Sequence, residues 1–569
     1  MKKKAILPLF LAVLFGLSGC GFTASSEAVS SSDNAAEAKA AAPVSTINAS
    51  DLFTDRDMEI GYDEETSARI TLSGDSAASD SGAVQVSGST VTITGEGTYI
   101  LSGALNDGMI VVSAGETDKV QLVLDGVQIT SSSSAAIYVP EADKVFITTA
   151  AGSENTLANG GEYVAIDGNN IDAVIFSKAD LTLNGAGTLT VNAAAGHGIV
   201  SKDDLALTSG AYQITAASHG LSGKDSIRIA SGTYTIAAGK DGLHAENADD
   251  TDLGFLYIAG GSFTIAADGD GISAGASLQI ADGTFTITTG EGSASVTMAT
   301  AAMDFGQRGG FQTQTTSTQA ADSVSQKGVK ADGAITITGG SFATDTVDDS
   351  IHAGGDILIV NGEFALRSGD DAVHSDAAVT IQSGVFTIAY CYEGIEGLTV
   401  TINGGTFEIT SVDDGINAAG GADSSGFGGG RPGQDQFSAA SDSFITINGG
   451  TFVIVSTGDC IDSNGALTIN GGTLQLTCNG NGDTALDCDG AYTNNGGDVT
   501  TNDGSENNPG QMGGMGGHGG PEGMGAPGGM DAPDGINAPD GMGSPDGMGA
   551  PDGMGSPDDM GAMDGRGSR

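Results

Sequence analysis

Apolar and polar residues alternate along most of this chain, and no stretch shows the 3.6-residue spacing of an amphipathic helix. Ile335-Thr336-Ile337 and Phe364-Ala365-Leu366 are typical runs, and a period of two is the signature of a strand. Gly-Gly and Asn-Gly pairs punctuate the runs and mark corners. The whole pattern then recurs. Asp348-Asp349-Ser350-Ile351-His352 returns as Asp370-Asp371-Ala372-Val373-His374, as Tyr392-Glu393-Gly394-Ile395-Glu396, and as Asp413-Asp414-Gly415-Ile416-Asn417, at steps of 22, 22 and 21 residues. Gly340-Ser341-Phe342, Gly362-Glu363-Phe364, Gly384-Val385-Phe386 and Gly405-Thr406-Phe407 keep the same beat.

A fixed period in the twenties signals a solenoid, in which no unit buries its own apolar face and each stacks on the next. Short strands and tight turns in a coil of about 22 residues predict an all-β parallel β-helix, with equivalent residues stacked at about 4.8 Å. Tyr212, Tyr234, Phe263, Phe285, Phe342, Phe364, Phe386, Phe407 and Phe452 then form one internal row. Strand patterns at 68–72, 84–94, 98–102, 109–113 and 120–124 are less regular, so residues 51–165 read as a cap and first coils. Regular coils fill 166–503, broken by insertions at 291–326 and 420–440. Residues 504–569 are built from Gly, Met, Pro and Asp, cannot bury a core, and read as disordered.

Charge narrows the partners. Of 569 residues 72 are acidic and 20 basic, a formal net charge of −52. Nucleic acid is excluded, because phosphate binding needs a basic footprint. An anionic polymer is repelled too, unless a cation bridges the two. Lys2-Lys3-Lys4 and the apolar run through Leu17 form a secretory signal. It closes with Leu17-Ser18-Gly19-Cys20, which resembles a bacterial lipobox and implies cleavage before Cys20 with lipid on its sulfur. Residues 21–50, rich in Ser and Ala, read as a tether. No later stretch is long and apolar enough to cross a bilayer. These features predict an extracytoplasmic, cell-surface lipoprotein held to the membrane by its lipid alone.

Stacking turns periodic residues into columns. Asp241, Asp270, Asp349, Asp371, Glu393, Asp414, Asp459 and Asp483 form an acidic one, doubled by Asp348, Asp370 and Asp413. A second polar column holds His244, Ser273, Lys330, His352, His374, Glu396, Asn417, Asp462 and Asp487. Carboxylates at about 4.8 Å repel by roughly 3 kcal/mol per pair at an effective dielectric of about 20. Ca²⁺, which takes six to eight oxygens, is the natural counter-ion for the stretch from Asp348 to Asp462. The plainer reading of each Asp-Gly is a turn residue chosen for its backbone.

His352 and His374 stand one to a coil among carboxylates, which is no compact zinc motif. They are surface hydrogen-bonders or, with Glu396, glycan contacts. Lys178, Lys202 and Lys224 form a short basic column that either grips sugar carboxylates or balances Asp203, Asp204 and Asp225. Tyr390 and Tyr392 fall outside the core register and are the candidate aromatic platform for a sugar ring. Cys391, Cys460, Cys478 and Cys488 read as buried free thiols.

Leu52-Phe53-Thr54-Asp55-Arg56-Asp57, Gly97-Thr98-Tyr99-Ile100-Leu101-Ser102-Gly103, Val120-Gln121-Leu122-Val123-Leu124-Asp125-Gly126 and the repeated Asp-Asp-Gly-Ile turns resemble the bacterial extracellular β-helix proteins called carbohydrate-binding domain-containing proteins. The resemblance covers about residues 51–500. It implies a right-handed parallel β-helix, Ca²⁺ sites, binding of plant cell-wall polysaccharides such as cellulose or polygalacturonate, and kinship with pectate lyases. Asp413, Asp414 and Asn417 resemble the acidic pair and third calcium ligand of such lyases, with Asn in place of a carboxylate. A lyase also needs a Lys or Arg base. Lys330 is the last lysine, Arg367 falls on a strand, and Arg431 sits in an insertion. Three readings follow: a non-catalytic, calcium-dependent polysaccharide-binding lipoprotein, a pectate-type lyase, and a structural surface protein.

Overall fold

In a computed structural model, residues 52–298, 324–419, 442–480 and 482–509 are described, all within the unit 1–514. Cys20, the tether, most of the first insertion, the second insertion with Arg431, and the tail beyond 509 lie outside the described residues.

The alternating runs form strands, and 43 of them join one sheet. Each coil uses three. One turn of the solenoid runs through Thr233–Ala238, Leu243–Ala245 and Phe255–Ile258 before the next long strand, Ser262–Ala267. These are called here the long, short and third strands. Successive coils pair in parallel and in register, Tyr234 on Phe263, Leu243 on Ile272 and Leu256 on Leu278. The only antiparallel pairs among the described residues are two hairpins at the start, Ala68–Gly74 with Ala77–Ser79 and Val84–Ser87 with Thr90–Ile93. The chain is therefore a parallel β-helix.

Burial follows the alternation. Long strands such as Thr233–Ala238 and Ser262–Ala267 bury every second side chain and expose the others. The predicted aromatic row is continuous from Tyr212 to Phe452, with ring centroids 4.5–5.2 Å apart and planes within 9°. Stacking at the inter-strand spacing makes ring overlap automatic once the register is set. The turn glycine before each ring is required by space and by conformation. At Gly362, φ is +149°, and a Cβ would lie 2.8 Å from the Phe364 ring.

Open ends of a parallel sheet need covers. The hairpins serve at the start. At the other end Asp498–Thr501 pairs with the preceding coil, and the 3-10 turn Ser505–Asn507 follows. The Leu486 N–H donates to Ser505 Oγ at 3.0 Å and the Ala485 N–H to Asp503 Oδ2 at 2.7 Å. The folded part thus continues past residue 503, where the sequence pattern placed its end.

Leu52–Glu59 forms a strap outside the third strands. Thr54 and Asp57 cap the four-residue helix Asp55–Met58 reciprocally. Buried Asp57 meets Lys144 Nζ at 2.7 Å and accepts from Thr182 Oγ1 at 2.6 Å. Its carbonyl accepts from Asn184 and Thr208, and Arg228 donates to Leu52 O at 3.0 Å. The opening motif is therefore a clasp on coils far ahead in sequence.

Candidate functional site

The acidic column occupies the turns from long to short strand, and a hydrogen-bond ladder explains its residue type. At most steps the side chain accepts the outward backbone N–H of the equivalent residue one coil on; at Lys327, which cannot accept, the Asp349 N–H turns to Asp348 instead. Asp270 N–H donates to Asp241 at 2.9 Å, Lys327 N–H to Asp270 at 2.8 Å, Asp371 N–H to Asp349 at 3.0 Å, and Glu393 N–H to Asp371 at 3.0 Å. Asp459 N–H donates to Asp414 at 2.6 Å, and the Thr484 N–H donates to Asp459. Thr484, one residue past Asp483, therefore holds the last position of the column. The ladder also extends backward, because His219 N–H donates to His197 Nδ1 and Asp241 N–H to His219 Nδ1.

The second polar column follows the short strands. His244, Ser273, Lys330, His352, His374, Glu396, Asn417 and Asp462 pair consecutively in one register, and Asp487 follows through the bridge of Ile461 to Leu486. In the first coils the same positions hold Tyr138, Phe176 and Val200, packed under Ile171 and Ala173. The polar column opens only where that apolar cover ends.

Charge compensation divides the columns. Lys327 holds an acidic-column position, and its ammonium lies against Asp348 Oδ1 at 3.0 Å and against Asp349. His352 Nδ1 meets Asp349 at 2.8 Å. Burial pushes Asp349 up, yet Lys327, His352 and His374 together hold it far below the usual carboxylate range. His374 is 1% exposed, with Nδ1 3.0 Å from Asp371 and 2.6 Å from Glu396, and Nε2 3.3 Å from Asp376. Burial opposes its charge, but the three carboxylates raise it well above an ordinary histidine. Neither Lys327 nor His219 stood out in the sequence pattern, although each lies 22 residues before its column neighbour, Asp349 and Asp241.

Past His374 the described residues contain no Lys, Arg or His. Burial, then repulsion from Glu396, Asp371, Asp414 and Asp413, raises Glu393 well above its ordinary value. Burial, then Asp462, Asp413 and Asp459, does the same to Asp414. Burial and the neighbours Asp462, Asp487 and Asp483 push Asp459 up to about 8, against the donated Thr484 N–H. Asp413 is raised as well. Asn417, 2% exposed, donates Nδ2 to Glu393 at 3.0 Å, and its buried Oδ1 has no partner. Carboxylate oxygens of Asp459, Asp462 and Asp487 lie within 4.8 Å of one another, and so do those of Asp348, Asp349 and Asp370.

The candidate glycan contacts are dispersed. Tyr392 is half-buried, and its hydroxyl bonds Asp413. Tyr390 is half-buried with the Arg367 guanidinium 5.5 Å above its ring. The two do not form one open platform. His374 has no free face, and His352 stacks on it at 5.0 Å, beside half-buried Glu396. Lys178, Lys202 and Lys224 stack as expected, but past the far end of the short strands, where the column holds histidines. Lys224 pairs with Asp249 at 2.6 Å, and Lys202 lies over Phe176. The four cysteines are free and buried.

A family model described as carbohydrate-binding domain-containing protein matches residues 87–372, 354–431 and 371–508. A curated protein of that description from Acetivibrio thermocellus is 39% identical over 155 residues, covering 27% of this chain and 54% of the relative, about half its length. A solved structure described as the polysaccharide lyase-like protein from C. thermocellum, gadolinium derivative, is 37% identical, covering 39% of this chain and 92% of that one, with a TM-score of 0.39.

Proposed function

This chain belongs to the carbohydrate-binding domain-containing protein family, and from that premise we propose that it is a non-catalytic lipoprotein of the cell surface that binds polysaccharide through Ca²⁺. One observation carries the calcium reading. The Oδ1 of Asn417, without a hydrogen-bond partner, is buried between Glu396 and Asp462, in a run of carboxylates among which the described residues past His374 place no Lys, Arg or His. Buried carboxylates and a lone amide oxygen are hard oxygen donors, the set that fits Ca²⁺. Asp414, Asn417, Asp459, Asp462 and Asp487 are the residues that would hold it, with Glu393 beside them.

When bound, the ion supplies positive charge that can meet an acidic sugar. The side chains do the rest. The ladder fixes Asp414 and Asp459 against the next coil, so their oxygens are ordered before any ligand arrives. The net charge of −52 disfavours an acidic polysaccharide everywhere else on the surface. Polygalacturonate is therefore the first ligand to test, with cellulose as the uncharged comparison. Lys327, the one lysine placed in the acidic column, faces two carboxylates, and an ammonium so paired donates protons and does not abstract them. That pairing supports binding over lysis.

The test is retention of the chain on polygalacturonate and cellulose, with Ca²⁺ and with chelator, while absorbance from unsaturated products is followed. Retention on polygalacturonate that requires Ca²⁺ and yields no product is the expected result. Product formation overturns the non-catalytic reading. Retention nowhere, with Ca²⁺ still raising the melting temperature, leaves only a structural role.

A further inference from the structure

One arginine stands apart from the rest. Arg56 meets Glu59 at 3.5 Å, Arg69 meets Glu64 at 3.0 Å, and Arg228 meets Asp204 at 2.8 Å. Arg367 is exposed on the long strand Glu363–Ser368, and among the described residues its guanidinium forms no ion pair and no hydrogen bond. Its partner is the ring of Tyr390, 5.5 Å away at the centroid. The carboxylate beside it in register, Asp345, is engaged elsewhere. Asp345 Oδ1 accepts from Ser293 N–H at 2.8 Å, so the start of the first insertion takes up that acid and leaves the arginine open. On a chain of net charge −52, an arginine without a carboxylate is the exception.

The tyrosine reaches that guanidinium because it does not fit inside. Thr346, Ser368 and Ser411 each follow the inner ring of their coil by four residues, and all three are small and buried. Tyr390 holds the same place after Phe386 and is too large for it. Here the strands shift register, so that Arg367 pairs with Tyr390 where a regular ladder would give Ala389. From Thr188 onward this is the one such shift between paired long strands among the described residues. Cys391 goes inward instead, fully buried, and the phenol comes out beside the guanidinium. A bulge that re-aims a side chain does this. The outward positions around the pair are small and exposed: Ala343, Ala365, Thr387 and Ala389.

We propose that Arg367, steadied by Tyr390, docks the carboxylate of an acidic sugar on the long-strand face, apart from the acidic columns. A guanidinium takes a carboxylate through two parallel N–H···O bonds. The aromatic ring beside it restricts the side chain beforehand, so less freedom is lost when the anion arrives. The small neighbours leave room for a sugar ring next to the fork. No calcium ion is needed at this point. The net charge of the chain still opposes an acidic polymer at long range, so the contact adds to calcium-bridged binding and does not replace it. The anion site stands on the geometry of Arg367 and Tyr390, while the choice of a sugar acid as its ligand rests on the polysaccharide reading.

The experiment labels the arginines of the full chain with phenylglyoxal, in chelator and at physiological salt, and reads each site by peptide mass spectrometry. Trigalacturonate should slow labelling of Arg367 and leave exposed Arg69 unchanged, whereas its methyl ester should protect neither. In Ca²⁺, Arg367→Gln should weaken binding to polygalacturonate about tenfold, as loss of hydrogen bonds to a charged group does, with the melting temperature unchanged. Arg367→Lys keeps the charge without the fork and should recover only part of the loss. Labelling of Arg367 that trigalacturonate does not slow, or that the ester slows equally, overturns the proposal, as does full affinity in Arg367→Gln. Calcium-dependent retention without protection of Arg367 sinks this inference alone, and protection without retention sinks the calcium reading and keeps this one.

Discussion

The coils from Asp241 to His374 and those from Glu393 to Asp487 share strands, turns, ladder and inner row, yet handle charge in opposite ways. In the first set the chain brings its own cations: Lys327 against Asp348 and Asp349, His352 on Asp349, and His374 among Asp371, Asp376 and Glu396. In the second set the buried carboxylates Glu393 and Asp414 are crowded by other carboxylates, and Glu393 accepts from Asn417, with no Lys, Arg or His among the described residues there. A carboxylate in such a column has one structural duty, accepting the next coil's N–H, and both sets perform it. What differs is the source of the counter-charge. Where the described residues supply none, a proton or an ion from solution can serve.

The sharpest way to break this contrast is to remove the internal cation. Lys327→Met leaves half-buried Asp348 without its ammonium and buried Asp349 with only the imidazoles of His352 and His374 to offset it, a change expected to remove about 3 kcal/mol. Denaturant unfolding should show that loss without Ca²⁺ and partial recovery with it, since the first set then behaves like the second. A loss under about 1 kcal/mol would mean that Lys327 is not the counter-charge.

Calcium removal comes next in size. Ligand at a hundredfold excess over its Kd stabilises by about 2.7 kcal/mol. Amide exchange should therefore quicken in the coils from Glu393 to Asp487 on adding chelator, and hold steady around His352. Uniform quickening along the solenoid would erase the distinction between the halves.

Acidity acts with opposite sign on individual carboxylates of the columns. Asp459, raised to about 8, binds more protons in the native state than in the unfolded one between about pH 4 and 8. Stability of the calcium-free second set is thus full below that window and lost as pH rises through it. In the first set, Asp349 is held low, so its contribution is present above the ordinary carboxylate value and lost only in strong acid. His374 is held high, so its contribution is present below about 6.5 and lost as pH rises past its raised value. Thermal melts with chelator between pH 4 and 6.5 should therefore show a fall that Ca²⁺ flattens; Asp371 of the first set, raised well above its ordinary value by burial and Asp370, adds to that fall. A smaller effect is expected from Asn417→Leu, which removes the lone amide oxygen and should weaken Ca²⁺ binding about tenfold in calorimetry, with little change around His352.

Some of this was legible in the chain. The 22-residue beat, the alternation and the recurring Gly-x-Phe predicted the coil, the inner aromatic row and both columns in their register, because stacking places residues one period apart against each other. The counter-ions were harder. Lys327 stands on the beat but at the edge of an insertion, where counting from the preceding coil fails, and a lysine does not match a search for carboxylates. His219 likewise keeps the step and changes the chemistry. Thr484 displaces Asp483 because the last turn differs in length, which only the paired N–H to Asp459 reveals.

Other features were decided by tertiary structure alone. The clasp of Asp57 on Lys144 and Thr182, and of Leu52 on Arg228, joins residues far apart in the chain and off the repeat. The bond of Tyr392 to Asp413 closes a platform that the sequence left open. The physical reason is common to these cases. Periodicity reports contacts between equivalent positions of neighbouring coils, where one geometry is copied, whereas charge pairing and clasping depend on where non-equivalent side chains point. The sequence by itself determined the columns, and the packing decided how their side chains bond and which positions carry their own counter-charge.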